Sequence, residues 1–337
     1  MSRPARISFA FVAGMFVLVG WLHLGTPLLA ALFSFFALHR LCFARRKWLA
    51  VLLFAVLVVA GAYAIGHFLN QAVVALPKVA EKAIPSIITY AESQGVELPF
   101  SDYQSLKGMA MDTAKEQFHY VGNVANVAKG VTRQMVFLLI GLVIAVSVFL
   151  NSQMDLDRGK HAIRDNLYSL VCEEIAARFD ALYHSFARVM GAQLIISGIN
   201  TALTSVFVLM VALPHAFVVI GVTFLCGLLP VIGNLISNTI IVGIAFTVSP
   251  KTALGALTFL VVIHKLEYFL NSKIIGDRIK NPVWLTLIGL IVGEKLLGLP
   301  GMILAPVVLH YLKMEGAKIE VKTPVPPSPT AEATVSG

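Results

Sequence analysis

The sequence predicts an all-α polytopic membrane protein of about eight transmembrane elements, two of them helical hairpins broken by Gly and Pro. Three observations predict it. Of the 337 residues, 58% are hydrophobic and 13% are charged, against about 25% charge in ordinary soluble domains. Residues 7–39, 48–77, 134–154 and 189–250 contain no Lys, Arg, Asp or Glu. A helix needs about 20 apolar residues to cross a hydrocarbon layer about 30 Å thick, so each stretch can span it and the last can do so about three times. A disordered chain is excluded by these values, and a soluble enzyme is disfavoured.

The first element starts after Arg3 and Arg6 and runs over Ile7–His23. It resembles the charged and apolar regions of a signal peptide. No small-x-small cleavage site follows cleanly, so it reads as a retained first span. Gly25-Thr26-Pro27 breaks the run, and Leu28–His39 forms the second helix of a tight pair. Arg40, Arg45, Arg46 and Lys47 form the strongest basic cluster, which the positive-inside rule places on the cytoplasmic side. Trp48–Asn70 then runs outward, so residues 1–70 hold three N-terminal membrane helices.

Residues 71–133 mix Lys, Glu and Asp with apolar positions and carry Pro77, Pro85 and Pro99. They read as an extracytoplasmic amphipathic helical segment. Residues 134–151 cross back. Residues 152–188 form a cytoplasmic amphipathic helix, with Ile163, Leu167, Leu170, Val171, Ile175, Leu182 and Phe186 on one stripe. Residues 189–312 form a C-terminal membrane core. Within it Val189–Leu213 is one span, and Ala216–Val248 is interrupted by Gly227 through Asn234. Thr252–Leu270 is another, and Val283–Leu312 is interrupted at Gly293-Glu294 and Gly298–Gly301. Residues 313–337, rich in Pro, Ser, Thr and Ala, read as a disordered cytoplasmic tail. The sidedness is self-consistent: both termini fall inside and residues 71–133 outside.

The net charge of +8 comes from 26 Lys plus Arg and 18 Asp plus Glu. Basic residues gathered at membrane edges account for it, and no basic-aromatic stripe points to nucleic acid. Cys42, Cys172 and Cys226 are far apart, which indicates neither a disulfide framework nor a thiolate metal site. Motifs for nucleotide, zinc or serine-hydrolase chemistry are absent from the sequence, so the reading includes no enzyme activity, no cofactor and no direct ATP-driven pumping.

Function points to the broken segments. Opposed half-helices offer free N–H and C=O groups at membrane depth, where transporters bind their substrates. Close packing through small residues is the alternative use of the same pattern. The candidate path residues are Pro230, Gly233 and Asn234 at the first break, and Gly298, Pro300, Gly301 and Pro306 at the second. Asn200 and Asn238, with Asn234, add polar groups to the long apolar window, either to bind substrate or only to satisfy backbone groups at the break. Glu294 lies within an apolar run, where an ionisable group faces a cavity or a partner. A desolvated carboxyl there would exchange protons; a surface pair with Lys295 is the equally weighted alternative. Glu267 is a candidate gate or ion contact, with an interfacial ion pair to Lys265, Lys273 or Arg278 as the favoured alternative. His23, His39, His67, His215, His264 and His310 fall at span ends and read as interfacial residues.

The run from Glu267 through Asn271, Lys273 and Gly276 to Asn281-Pro282 resembles the C-terminal signature of the autoinducer-2 exporter family of bacterial and archaeal permeases. Leu297-Gly298-Leu299-Pro300-Gly301-Met302, continuing to Val307, matches it too, as does the Pro230-x-x-Gly233 break. The likeness covers about residues 1–315. It implies a membrane-lipid environment, a homo-oligomer, and export or facilitated diffusion of a small polar solute of the autoinducer-2 kind. Two alternatives stay open: a sodium/proton antiporter using Glu294, and a non-transporting membrane scaffold that binds partners through residues 71–133 and 152–188.

Overall fold

The computed structural model describes residues 2–42, 46–96, 98–99, 102, 104–105, 107–108, 124–151, 166–229, 232–275 and 282–319. Among them the chain forms ten helices of twelve residues or more and no strand. They are α1 (Arg3–Trp21), α2 (Gly25–Leu41), α3 (Lys47–Ser93), α4 (Val124–Leu150), α5 (Leu167–Met210), α6 (Ala216–Gly227), α7 (Ile232–Phe246), α8 (Pro250–Ile275), α9 (Val283–Leu297) and α10 (Leu299–Gly316). Segments in α1, α3, α4 and α5 are long and apolar enough to cross a membrane, and α2, α6 and α7 are shorter apolar helices. Outward faces rich in large apolar side chains, such as Val59 at 70% exposed and Val143 at 68%, suit lipid contact. The protein is an all-helical, multi-pass membrane protein.

Local chemistry sets several helix ends. The Ser2 hydroxyl caps α1 by accepting from Ala5 N–H at 3.3 Å. The chain turns over Leu22–Leu24, with His23 in the left-handed region at φ 51°. Gly25 and Pro27 then stand in the first turn of α2, where a missing N–H costs nothing. Ser249 caps α8 by accepting from Thr252 N–H at 3.1 Å, next to Pro250 at the helix start.

Two helices outrun the sequence divisions. The 47 residues of α3 continue across residue 71 to Ser93 and keep Pro77 and Pro85 inside the helix. At 1.5 Å per residue α3 is about 70 Å long, more than twice the hydrocarbon thickness. The helix persists because Ala75, Val79, Ala83 and Ile84 are buried around those prolines. Likewise α5 runs unbroken over Leu167–Met210, across residues 188 and 189. At the other end of the chain, α10 extends to Gly316, and residues 320–337 of the expected tail lie outside the described residues. Residues 152–165 of the expected inner amphipathic segment lie outside them as well.

The packing around the two breaks forms two neighbourhoods that share α5, beside a third core of Leu38, Ala50, Phe54, Ala145 and Phe149 between α2, α3 and α4. On one side α6 and α7 pack with α3, α5 and α8. Their core includes Val79, Val208, Val219, Ile241, Ile244 and Leu260. On the other side α10 packs with α9, α5 and α2, and α1 packs with α5. That core includes Val12, Leu182, Phe186, Met190, Val307 and Tyr311. The tight α2–α4 pair rests on Gly141, where a Cβ would strike Ala30 and press within 3.0 Å of the Ala31 backbone nitrogen.

Candidate functional site

The first break separates α6 from α7. Residues 228 and 229 form a turn, and Pro230 and Val231 lie outside the described residues. A helix end leaves carbonyls without partners, and in a membrane each of these must be satisfied by protein. Here α5 supplies the donors. Gln193 Nε2 donates to Gly227 O at 2.6 Å, and Ser197 Oγ donates to Phe224 O at 2.8 Å. Gly227 lies against the Ser197 side chain, with no room for a Cβ. Gly233, in the first turn of α7, lies so close to the Cys226 carbonyl that a Cβ would overlap it. These two glycines let α7 begin directly against the end of α6.

Beside this break sits Glu267, on α8, with its side chain 15% exposed. Asn234, also in the first turn of α7, donates to both carboxylate oxygens at 3.0 Å. Asn200, on α5 and 7% exposed, donates to Oε2 at 3.1 Å. Amide donors to a carboxylate form charge-assisted bonds, the stronger kind. His264, one turn before Glu267, places Nδ1 at 3.7 Å from Oε2. Asn238 Nδ2 donates to His264 Nε2 at 2.7 Å, which assigns the ring proton to Nδ1, facing Glu267. Five side chains from α5, α7 and α8 thus form one polar cluster. Among the described residues Asn200 Oδ1 and Thr201 Oγ1 are buried without a hydrogen-bond partner. An unmet buried acceptor costs about 1–3 kcal/mol, so the cluster has capacity for one more ligand.

Of the sequence candidates, the structure brings together Asn200, Gly233, Asn234, Asn238 and Glu267. The favoured sequence alternative for Glu267 was an ion pair with Lys265, Lys273 or Arg278. Its described partners are Asn200, Asn234 and His264. The side chains of Lys273 and Arg278 lie outside the described residues, as do residues 276–281 of the C-terminal motif. His264, Gln193 and Ser197 were not singled out for this role. Their signal exists only as i+3 and i+4 spacing: His264 precedes Glu267 by three, and Gln193, Ser197 and Asn200 lie on one α5 face.

The second break is built differently. Gly298, at φ 65°, is the turn between α9 and α10. Its N–H donates to Glu294 O at 2.7 Å, and its carbonyl accepts from Gly301 at 2.9 Å. Gly293 and Gly301 face one another so closely that a Cβ on either would strike the other's carbonyl. Gly289 faces Leu309 and Ala305 in the next layer. Small residues four apart on both helices bring the backbones together. Pro300 sits in the first turn of α10, where its missing N–H is harmless, and Pro306 lies inside the helix. Gly25 of α2 rests on Leu297 and Pro300, and His23 Nδ1 lies 3.0 Å from Leu296 O. Glu294 is paired with Lys295 at 3.4 Å, with side chains 47% and 78% exposed.

Past the turn, α10 is tied to α5. Glu315, 3% exposed by side chain, bonds to Arg178, and Lys318 Nζ donates to it at 2.6 Å. Arg178 also pairs with Glu174 at 3.0 Å and lies 3.9 Å from the centre of the Phe9 ring of α1.

Two cavities lie between the helices, the second of them against the Gly293–Gly301 turn. One of ≈ 560 Å³ lies between α3, α7 and α8, with Asn238 and His264 in its wall. One of ≈ 490 Å³ lies between α1, α9 and α10, with Tyr311 and Glu315 in its wall. Among the described residues no group of His, Cys, Asp and Glu has the spacing to hold a metal ion.

A protein family described as "AI-2E family transporter" matches residues 7–314. The chain is similar to "Putative transport protein YdbI" of Bacillus subtilis (strain 168), with 31% identity over 142 residues. That match covers 42% of this chain and 41% of the relative's length. No solved structure matches the chain.

Proposed function

The chain belongs to the AI-2E transporter family, and we propose that it carries a small polar solute across the membrane past the Glu267 cluster. One observation carries the reading. A half-buried carboxylate, two asparagines from other helices and an unmet amide oxygen meet at a helix break inside a bundle of apolar spans. Polar groups in such surroundings are costly and mark solute or ion paths. The family resemblance supports a solute of the autoinducer-2 kind, and export or facilitated diffusion in a homo-oligomer of the inner membrane with both termini cytoplasmic. The second hairpin, closed by glycine backbone packing, serves as support for this path.

If an ion gradient drives the flux, Glu267 is the coupling group. Its carboxylate is held by asparagines from two other helices, whereas Glu294 turns outward beside Lys295. This moves the antiporter alternative from Glu294 to Glu267.

The test is efflux from proteoliposomes loaded with labelled small polar solutes and a pH-sensitive dye, with and without a sodium gradient. Efflux that is lost in Glu267→Gln supports the proposal. Sodium-dependent proton movement lost in the same variant supports coupling at Glu267. A well-folded Glu267→Gln protein that transports at the wild-type rate overturns the site. Absence of any flux leaves the scaffold reading standing in its place.

A further inference from the structure

The cavity of ≈ 560 Å³ beside the Glu267 cluster has the size of a small-molecule site. Sixteen residues line it, and only Asn238, Thr239 and His264 are polar. The Thr239 hydroxyl is already spent on Leu235 O at 2.8 Å. Asn238 and His264 therefore form one polar end, and hydrocarbon forms the rest. The floor is protein core: Val79 is 7% exposed, Ala83 3% and Leu260 4%. On the rim Leu257 is 51% exposed and Val261 53%, so the cavity opens sideways on the membrane-facing flank. The far end is closed by Phe246, whose ring lies 6.0 Å from that of Tyr90. From Asn238 to Phe246 along α7 the length is about 12 Å.

The polar end has a definite chemistry. With one amide N–H on His264, Asn238 keeps a second N–H and its oxygen, and among the described residues neither has a partner. One donor beside one acceptor matches a hydroxyl, which both donates and accepts. Glu267 stands behind His264, so an anionic head group is repelled. A strongly polar solute such as a sugar would leave its other hydroxyls unmet against hydrocarbon, which is costly.

We propose that this cavity is the solute site and that it takes a neutral amphiphile, with an apolar body between α3, α7 and α8 and a hydroxyl on Asn238. The proposal rests on the path reading above and changes its solute from a strongly polar one to a compact molecule with one polar end, entering from the bilayer through the Leu257–Val261 opening. Gly243 gives a clean way to close the cavity. It lines the wall, and a Cβ there meets nothing within 4 Å. A side chain can therefore start from this position into the cavity without a clash at its first atom.

The experiment uses the full chain in phosphatidylcholine nanodiscs and a diazirine-bearing octanol as photolabel, with adducts mapped by mass spectrometry. Adducts are expected on residues 76–87, 239–246 and 257–264. Excess 1-octanol should lower labelling there about tenfold, while glycerol and octanoate do not. Gly243→Phe should lower it about tenfold, Leu257→Trp should narrow the opening and lower it too, and Asn238→Ala should lower it about fivefold. Adducts elsewhere, or unchanged labelling in a folded Gly243→Phe protein, overturn the proposal. Competition by added phospholipid but not by octanol makes the occupant a bilayer lipid and also overturns it. The two readings fail separately. Polar-solute efflux that survives Gly243→Phe removes the amphiphile and leaves the path. Normal labelling with flux indifferent to Glu267→Gln leaves the binding site and removes the path through Glu267.

Discussion

The two broken segments look alike in sequence and differ in construction. Both place Gly and Pro in the middle of an apolar run. At the first, α5 and α8 bring Gln193, Ser197, Asn200 and Glu267 to the helix ends, so the break is finished by side chains. At the second, Gly293 meets Gly301 backbone to backbone, and the turn is finished by its own main chain. A Gly/Pro interruption therefore marks where a helix stops but does not say what chemistry the gap holds. That depends on which residues other helices carry to it. Under the proposed function the first break holds the solute chemistry and the second gives mechanical support, and variants can break that assignment.

The largest effect is expected from the tie that anchors the second hairpin. Glu315→Gln takes a counter-charge from the half-buried Arg178, which keeps Glu174, at a cost of about 3 kcal/mol. Thermal melting in detergent should show it, and a paired Arg178→Met, Glu315→Leu protein should recover much of the loss. Next comes Gly301→Leu, which forces a side chain into the Gly293 carbonyl and should cost about 3 kcal/mol by overpacking. If either variant folds normally and loses only transport, the second break is a functional site and the assignment is wrong.

At the first break the signs reverse, with stability kept and flux lost. Glu267→Gln should slow efflux about tenfold, equivalent to about 1.4 kcal/mol, with a melting temperature close to wild type. Asn234→Ala removes the residue that donates to both carboxylate oxygens and should slow efflux about fivefold. The smallest effect belongs to Glu294→Gln. Exposed pairs are worth about 0–1 kcal/mol, so flux and melting should stay near wild type. A large flux defect in that variant would restore Glu294 as the coupling residue.

The histidines show why the site was only partly legible. His264 stands at a span end like five others, and nothing in its neighbours distinguishes it. Its role comes from lying one turn before Glu267 on α8 and opposite Asn238 on α7. Glu267 itself is flanked by Lys265 and followed by Lys273 and Arg278, so local charge suggested an interfacial pair. The partners it takes are 67 and 33 residues away. The asparagines stood out as polar residues in a long apolar window, suited to solute or to backbone groups at the break, while their bonds to Glu267 and His264 were not legible.

The sequence by itself determined the membrane character, the helical class, the breaks at Gly227–Asn234 and Gly298 and the family, because these follow from local hydropathy and from motifs read in order along the chain; the interruption expected at Gly293-Glu294 is absent, since α9 runs straight through it and Gly293 serves close packing instead. It also held the glycines that the two breaks need. Tertiary structure alone decided that α3 runs through Pro77 and Pro85, that α5 serves both hairpins, and that Glu267 rather than Glu294 is enclosed by amides. These outcomes depend on helix register and on burial against elements far away in sequence, and a buried surface stabilises a helix or a carboxylate only once its neighbours are in place.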